Sequence, residues 1–372
     1  MTKEAYTDLD TSARILLGPG PSTVHPRVLR AMAHPLVGHL DPQFIALMNE
    51  VQELLRTVFQ TENALTIPVS GTGSASMEAS LCNFIEPGDS VLIGVNGYFG
   101  ERLCDMASRY GAEVRRVERD WGDVFSPEDF ETALVQKPAK LVALVHAETS
   151  TGALQPMEGI AEVVHRHGGL LVMDCVTSLG GVEVAVDAWG VDVAYSGTQK
   201  CLSCPPGLGP LTVSPRAREV LHGRGTKVAN WYLDLTMVEK YWGSERTYHH
   251  TAPISMNYAL REALRLVVEE GLEARFQRHR ANAELLWAGL EELGLELCVP
   301  LDHRLPSLTT VWVPESVDEA VIRQQLLSEY NVEIAGGLGA YKGRAWRVGL
   351  MGYSSRRENV LLLLSALKSL LG

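Results

Sequence analysis

Asp192-Val-Ala-Tyr-Ser-Gly-Thr-Gln-Lys200-Cys-Leu-Ser-Cys-Pro-Pro-Gly207-Leu-Gly209 is the stretch that decides how this chain is read. An apolar, strand-like run ends in small polar residues and then a single lysine. A lysine placed just past a buried strand loses hydration, and desolvation lowers an amine's pKa toward the range in which it attacks an aldehyde. A second strand-like run, Gly168-Gly-Leu-Leu-Val-Met-Asp174, ends in a carboxylate. A lysine to bond an aldehyde carbon and an aspartate to face a pyridinium nitrogen are the two groups that pyridoxal phosphate chemistry most needs.

Around these runs the chain alternates strands and helices. Apolar runs at Ala64 to Val69, Ser90 to Val95, Glu113 to Val117, Leu141 to His146, Leu170 to Asp174, Val191 to Ser196 and Pro210 to Val213 are the predicted strands. Amphipathic stretches such as Tyr98 to Tyr110 and Met157 to His167 lie between them, the rhythm of βαβ units around a mostly parallel sheet. Such sheets place ligand sites at the carboxyl ends of their strands, where Asp174 and Lys200 fall. Upstream, Phe44, Met48, Val51, Leu55 and Val58 recur at helical spacing, with Asp41 as N-cap and Pro42 in the first turn. Downstream, Ile254 to Glu269 and Leu272 to Leu293 read as two helices split by Gly271. Predicted strands at Ser307 to Val313, Val332 to Ala335 and Ala345 to Leu350, with helices over 318–329 and 356–371, form a second, smaller α/β layer.

Composition narrows the partners. The 372 residues, 46% hydrophobic and 21% charged, suffice for a large core divided over two domains. With 33 Lys and Arg against 45 Asp and Glu, the formal charge of −12 argues against a nucleic-acid partner or an acidic membrane. No apolar run reaches the roughly 18 residues of a membrane span. The acidic N-terminus lacks a signal core and Lys368-Ser-Leu-Leu-Gly372 carries no receptor address, so a cytoplasmic location is expected. Six scattered cysteines read as reduced thiols. Cys201-Leu-Ser-Cys204 spells C-x-x-C, but Pro205 and Pro206 block the helix that a redox motif would open.

Other polar clusters sit at predicted strand ends. Ser70-Gly71-Thr72-Gly73-Ser74-Ala75-Ser76 follows a strand and leads into the helical stretch Met77 to Phe84, so its backbone can approach a phosphate at a helix N-terminus. A dinucleotide fingerprint fits less well: the third glycine is absent at Ser76, and no acidic residue ends the next strand near Val95. Phe99, in Asn96-Gly97-Tyr98-Phe99-Gly100, can stack on a flat cofactor ring or pack in the core. In His146-Ala-Glu148-Thr149-Ser150-Thr151-Gly152, Thr149 can bond a ring hydroxyl or orient Asp174. His146 and Glu148 find no further ligand pair, and His165, His167, His249 and His250 read as surface or core histidines, so no metal is indicated. Arg347 lies between apolar neighbours, which demands an anion: a substrate α-carboxylate or an internal salt bridge.

Taken together, Tyr195-Ser-Gly-Thr-Gln-Lys200 with Pro205-Pro-Gly207, Leu17-Gly-Pro-Gly-Pro-Ser22, the His146 to Gly152 turn, Asp174-Cys-Val-Thr-Ser-Leu-Gly-Gly181, Tyr248-His-His-Thr251 and Gly336-Gly-Leu-Gly339 resemble the class V aminotransferases of pyridoxal-phosphate fold type I. Within them the chain is most similar to the alanine:glyoxylate and serine:pyruvate branch. The resemblance implies an N-terminal arm over 1–22, a large cofactor-binding domain over 23–265 and a small C-terminal α/β domain over 266–372. It implies that Lys200 attaches pyridoxal 5′-phosphate and then moves the proton between substrate Cα and the cofactor. Asp174 would hold the ring nitrogen protonated, and Val176 and Phe99 would pack on the two ring faces. Gly73, Ser74 and Gln199 hold the phosphate, joined by Tyr248 and Thr251 from the other subunit of a homodimer. Arg347 binds the carboxylate of a small amino acid or 2-oxo acid. Many relatives carry tryptophan at the Phe99 position, and some carry histidine at Ser74.

The implied reaction moves an amino group from alanine or serine to glyoxylate or pyruvate by a ping-pong cycle. The alternatives within the fold are a ureidoglycine, hydroxykynurenine or aminoethylphosphonate transaminase, or a lyase or desulfurase. Cysteine desulfurases carry histidine before the lysine, where this chain has Gln199. A regulatory module without turnover would not need Lys200, Asp174 and Arg347 together.

Overall fold

The computed structural model describes residues 9–372. The chain opens with β1 (Ile15–Leu16), α1 (Pro26–Met32) and α2 (Pro42–Phe59). Asp41 caps α2 as its sequence predicts, accepting from the Gln43 amide at 2.8 Å, and Pro42 occupies the first turn, where its missing N–H costs nothing. Phe44, Met48, Val51, Leu55 and Val58 form the buried stripe of that helix.

The alternation that follows is β2 (Leu65–Ser70), α3 (Gly73–Cys82), β3 (Ser90–Val95), α4 (Tyr98–Arg109), β4 (Glu113–Glu118), α5 (Pro127–Gln136) and β5 (Leu141–Val145). A hairpin of β6 (Ala147–Glu148) and β7 (Ala153–Leu154) precedes α6 (Ile160–Arg166), β8 (Leu170–Asp174), β9 (Val193–Tyr195) and β10 (Leu208–Val213). Seven of these strands form one sheet in the order β2-β10-β9-β8-β5-β3-β4. From β9 to β4 every pairing is parallel, whereas β10 runs antiparallel to both β2 and β9. Its inner strands are buried on both faces, which is why they read as continuous apolar runs. Along β8, Leu170 and Val172 face one apolar cluster with α3 and α4, while Leu171 and Met173 face another with α5, α6 and the C-terminal half of α2. The strand expected from Val191 starts only at Val193, because the Val191 amide is taken by the Val186 carbonyl at 3.0 Å in the preceding turn.

After α7 (Pro215–His222) and α8 (Leu235–Trp242) come two long helices, α9 (Ile254–Glu270) and α10 (Leu272–Glu292), separated at Gly271. The remaining elements are β11 (Leu308–Trp312), α11 (Glu319–Tyr330), β12 (Val332–Glu333), β13 (Ala335–Gly336), β14 (Ala345–Gly349) and α12 (Arg357–Leu371). β14 is central, antiparallel to β11 and β13. This is the α/β architecture of fold type I that the sequence predicts. No helix among the described residues is long and apolar enough to cross a membrane.

The N-terminal segment packs against the C-terminal layer. β1 pairs in parallel with β12, and the Gly349 amide donates to the Leu17 carbonyl at 2.7 Å. Leu17 is fully buried in the apolar cluster of Val332, Trp346 and Val348. Replacing a buried leucine by alanine costs about 2–5 kcal/mol. Leu17→Ala should lower the unfolding free energy by that amount in a urea titration, and a loss below about 1 kcal/mol would show that this segment is not part of the core.

Candidate active site

Parallel neighbours β8 and β9 bring the two diagnostic groups together. β8 ends on Asp174, and the chain leaving β9 reaches Lys200 after four small or polar residues. Lys200 is buried, and its Nζ donates to the Pro19 carbonyl. Gly20 permits this approach: its φ is 107°, and a Cβ there would lie 2.8 Å from Nζ. The Lys200 carbonyl accepts from Ser22 Oγ at 2.7 Å and from the Ser203 amide at 3.0 Å, which fixes the turn. Burial pulls the Lys200 amine down to about 8, with the positive charge of Arg347 as the next cause.

Asp174 is held by two donors: Tyr195 Oη to Oδ2 at 2.8 Å and the Val176 amide to Oδ1 at 2.9 Å. Burial pushes its carboxyl up to about 6 against those hydrogen bonds. Thr149 does not orient it, contrary to one of the two roles read from the sequence. Its Oγ1 pairs instead with Thr177 Oγ1 at 2.5 Å. Tyr195 is the residue that sequence reading passed over, because a tyrosine inside an apolar strand looks like core.

The glycine-rich turn leads into α3 earlier than its sequence pattern suggests. The helix begins at Gly73 rather than Met77, so Gly73 and Ser74 are its first residues and their amides lack intrahelical acceptors. A Cβ on Gly73 would sit 3.3 Å from Gly197 Cα and 3.6 Å from Val176 Cγ2, so this turn lies directly against the segment carrying Gln199 and Lys200. Gln199 Oε1 is buried without a hydrogen-bond partner among the described residues; the donor this side chain can offer a phosphate is its Nε2. Arg102, on α4, also reaches the turn. Its Nη1 lies 3.5 Å from Ser74 Oγ and its Cζ 4.7 Å from the Phe99 ring centroid.

Arg347 sits on the central strand β14 and is 8% exposed. Its Nε donates to the Gly336 carbonyl at 2.9 Å and its Nη1 to the Thr149 carbonyl at 3.2 Å. Among the described residues its guanidinium forms no ion pair, so the internal salt bridge that the sequence left open is not made. Tyr248 and Thr251 are exposed and make no side-chain hydrogen bond among the described residues. Their loop touches the cradle through His250 Nε2, 2.6 Å from Ser70 Oγ.

The remaining candidates have structural partners. His146 bonds Ser178, His165 bonds Asp192 and His167 bonds Glu131. Burial pushes the Cys201 thiol up to about 11 and the Cys204 thiol higher still, the opposite of a redox pair.

Residues 16–358 match the family model for aminotransferase class-V. The chain belongs to the class-V aminotransferases. It is 43% identical to a (S)-ureidoglycine–glyoxylate transaminase of Bacillus subtilis, over 98% of this chain and 92% of that protein. It is 42% identical to an alanine–glyoxylate aminotransferase of Oryctolagus cuniculus, over 98% of this chain and 94% of that protein. A crystal structure of an alanine–glyoxylate aminotransferase from Nostoc sp. superimposes with a TM-score of 0.98 at 58% identity, covering 99% of this chain and 98% of that one. The class-V family uses pyridoxal phosphate. The residues of this aminotransferase fit that group: a buried amine and a buried carboxyl follow neighbouring strands, and the helix N-terminal amides at Gly73 lie against Gly197 beside them.

An amine attacks an aldehyde only in its neutral form, so the lowered Lys200 pKa sets a pH dependence. In cofactor-free protein, the rate at which pyridoxal phosphate is captured should rise with pH to a midpoint at about 8, followed by visible absorbance. A midpoint near 10.5 would mean a hydrated lysine, and capture by Lys200→Ala would locate the attachment elsewhere.

Proposed function

We propose that this aminotransferase moves the amino group of a small amino acid, alanine by preference and serine as the second donor, to glyoxylate or pyruvate in two successive half-reactions. The observation that carries this reading is the buried Arg347 guanidinium, whose bonds run to two carbonyls and to no carboxylate among the described residues. A substrate α-carboxylate supplies the countercharge through a two-pronged contact. Amino donor and 2-oxo acceptor both carry that group, so one arginine serves both halves. The names of the relatives support glyoxylate as acceptor, and that of the Nostoc protein supports alanine as donor. A second reading rests on the Bacillus relative, whose name specifies (S)-ureidoglycine as donor to the same acceptor.

Pyridoxal phosphate, when bound, supplies an aldehyde carbon and an electron-withdrawing ring. Lys200 Nζ would attach it and later carry the proton removed from substrate Cα. Asp174, fixed by Tyr195 and Val176, would hold the proton on the ring nitrogen. Phe99 and Val176 would pack the ring faces, Thr149 would meet the ring hydroxyl, and Gly73, Ser74 and Gln199 would hold the phosphate. Tyr248 and Thr251 would complete that cradle in the partner subunit of a homodimer. The exposure of Trp231, Tyr232 and Tyr248 supports such a contact, because large apolar side chains in water mark interaction surfaces.

Removing one partner of a buried, hydrogen-bonded charge pair costs about 2–5 kcal/mol. Arg347→Ala should therefore lower kcat/KM for alanine with glyoxylate by roughly 30- to 4,000-fold while cofactor binding survives. Arg347→Lys should recover part of the loss, since an ammonium cannot form the fork. Unchanged kcat/KM in Arg347→Ala would assign the residue to structure alone. Running the wild-type enzyme with alanine, serine and (S)-ureidoglycine against glyoxylate separates the two donor readings.

Shared sites predict complementation. Lys200→Ala and the Tyr248→Ala/Thr251→Ala double variant should each be inactive alone, and mixed heterodimers should regain one intact site. No recovery in heterodimers verified by mass spectrometry would place each site within one chain.

A further inference from the structure

We infer that Glu148 is a positioning residue: it caps helix α4 from across the site and thereby sets the plane of the Phe99 ring. The inference rests on the reading of Phe99 as the aromatic that stacks on the cofactor. Helix α4 starts at Tyr98 behind Gly97, an N-cap residue with no side chain to satisfy the first amides of the helix. The turn of residues 148–150 does so instead. Ser150 Oγ accepts from the Tyr98 amide at 3.0 Å, and Glu148 Oε2 accepts from the Phe99 amide at 3.1 Å, a contact between residues 49 apart in sequence. Burial raises the proton affinity of the Glu148 carboxyl, and the Ser150 hydroxyl and the Ser150, Phe99 and Gly100 amides act against it. Glu148 Oε1 is held in turn by the Ser150 amide at 3.0 Å and Ser150 Oγ at 2.6 Å.

Glu148 is fully buried, and a buried carboxylate is costly unless donors surround it. These donors do, and the positive end of the α4 dipole adds to them. Gly97 is shaped to the same purpose: a Cβ there would lie 2.3 Å from Glu148 Cγ and 2.4 Å from Cδ. The next residue, Thr149, offers its carbonyl to Arg347. The aromatic assigned to the cofactor and the arginine assigned to the substrate thus hang on consecutive residues of one turn.

The test is cofactor affinity, measured by titrating cofactor-free protein with pyridoxal phosphate, together with visible circular dichroism of the bound form. Phe99→Ala should weaken binding roughly 2- to 12-fold, the ordinary worth of an aromatic stacking contact. Glu148→Gln turns an acceptor into a donor facing N–H groups and should weaken binding within the same range and alter the dichroism. Ser150→Ala, which removes an uncharged bridge and no charge, should do the same to a smaller degree, with the unfolding midpoint measured alongside as the check on the fold. In the Phe99→Ala background both changes should add less than about 2-fold, because the cap acts through the ring. Wild-type affinity in Glu148→Gln and Ser150→Ala, or effects that multiply with Phe99→Ala, would overturn the inference while leaving Phe99 stacking in place. Wild-type affinity in Phe99→Ala would overturn the stacking reading and this inference with it.

Discussion

Lys200 is held out of water with its Nζ against the Pro19 carbonyl, and no carboxylate among the described residues contacts it. A charged ammonium in that position is costly, so the amine spends more of its time neutral at ordinary pH than a surface lysine does. Much of the architecture serves to keep it there. The stretch Pro19 to Ser22 that closes over it is fastened at one end by β1 pairing with β12 and at the other by the Ser22 hydroxyl on the Lys200 carbonyl. The Ser203 side chain extends the same network, accepting from the Tyr353 amide at 2.7 Å. Burial of the amine therefore depends on the C-terminal layer as much as on the seven-stranded sheet.

The charges around that amine are unequal in a way that has chemical meaning. The two buried carboxyls, Asp174 and Glu148, already have their donors. The cations Lys200, Arg347 and Arg102 do not have ion-pair partners among the described residues. A region with satisfied anions and unpaired cations favours ligands that bring negative charge, and the proposed ligands bring a phosphate and an α-carboxylate. Burial raises the proton affinity of both carboxyls, and Asp174, at the end of β8, is the one proposed to face a pyridinium.

Several of these features were legible in the chain itself. The βαβ rhythm, the Asp41 cap, the strand that ends on Asp174 and the lysine beyond Tyr195 all follow from periodicity and local chemistry, which act over a few residues. Other features were invisible there. Tyr195 and Ser22 read as ordinary residues until the fold sets them against Asp174 and the Lys200 carbonyl. Glu148 looked like half of an incomplete metal pair, and its role as the cap of a helix starting 50 residues earlier depends on β5 lying beside β3. Arg102 gave no signal, because a basic residue on an amphipathic helix is common.

The sequence by itself determined the fold class, the sites of the strand ends and which amine and carboxyl are the candidates, because desolvation and hydrophobic periodicity are written in neighbouring residues. Tertiary structure alone decided which partners those groups have. Among the described residues it left Arg347 without a carboxylate, gave Asp174 to Tyr195 and Val176, and began α3 at Gly73, close against Gly197. Those outcomes depend on sheet order and on the packing of the C-terminal layer, and such contacts join residues too far apart in the chain for any local pattern to announce them.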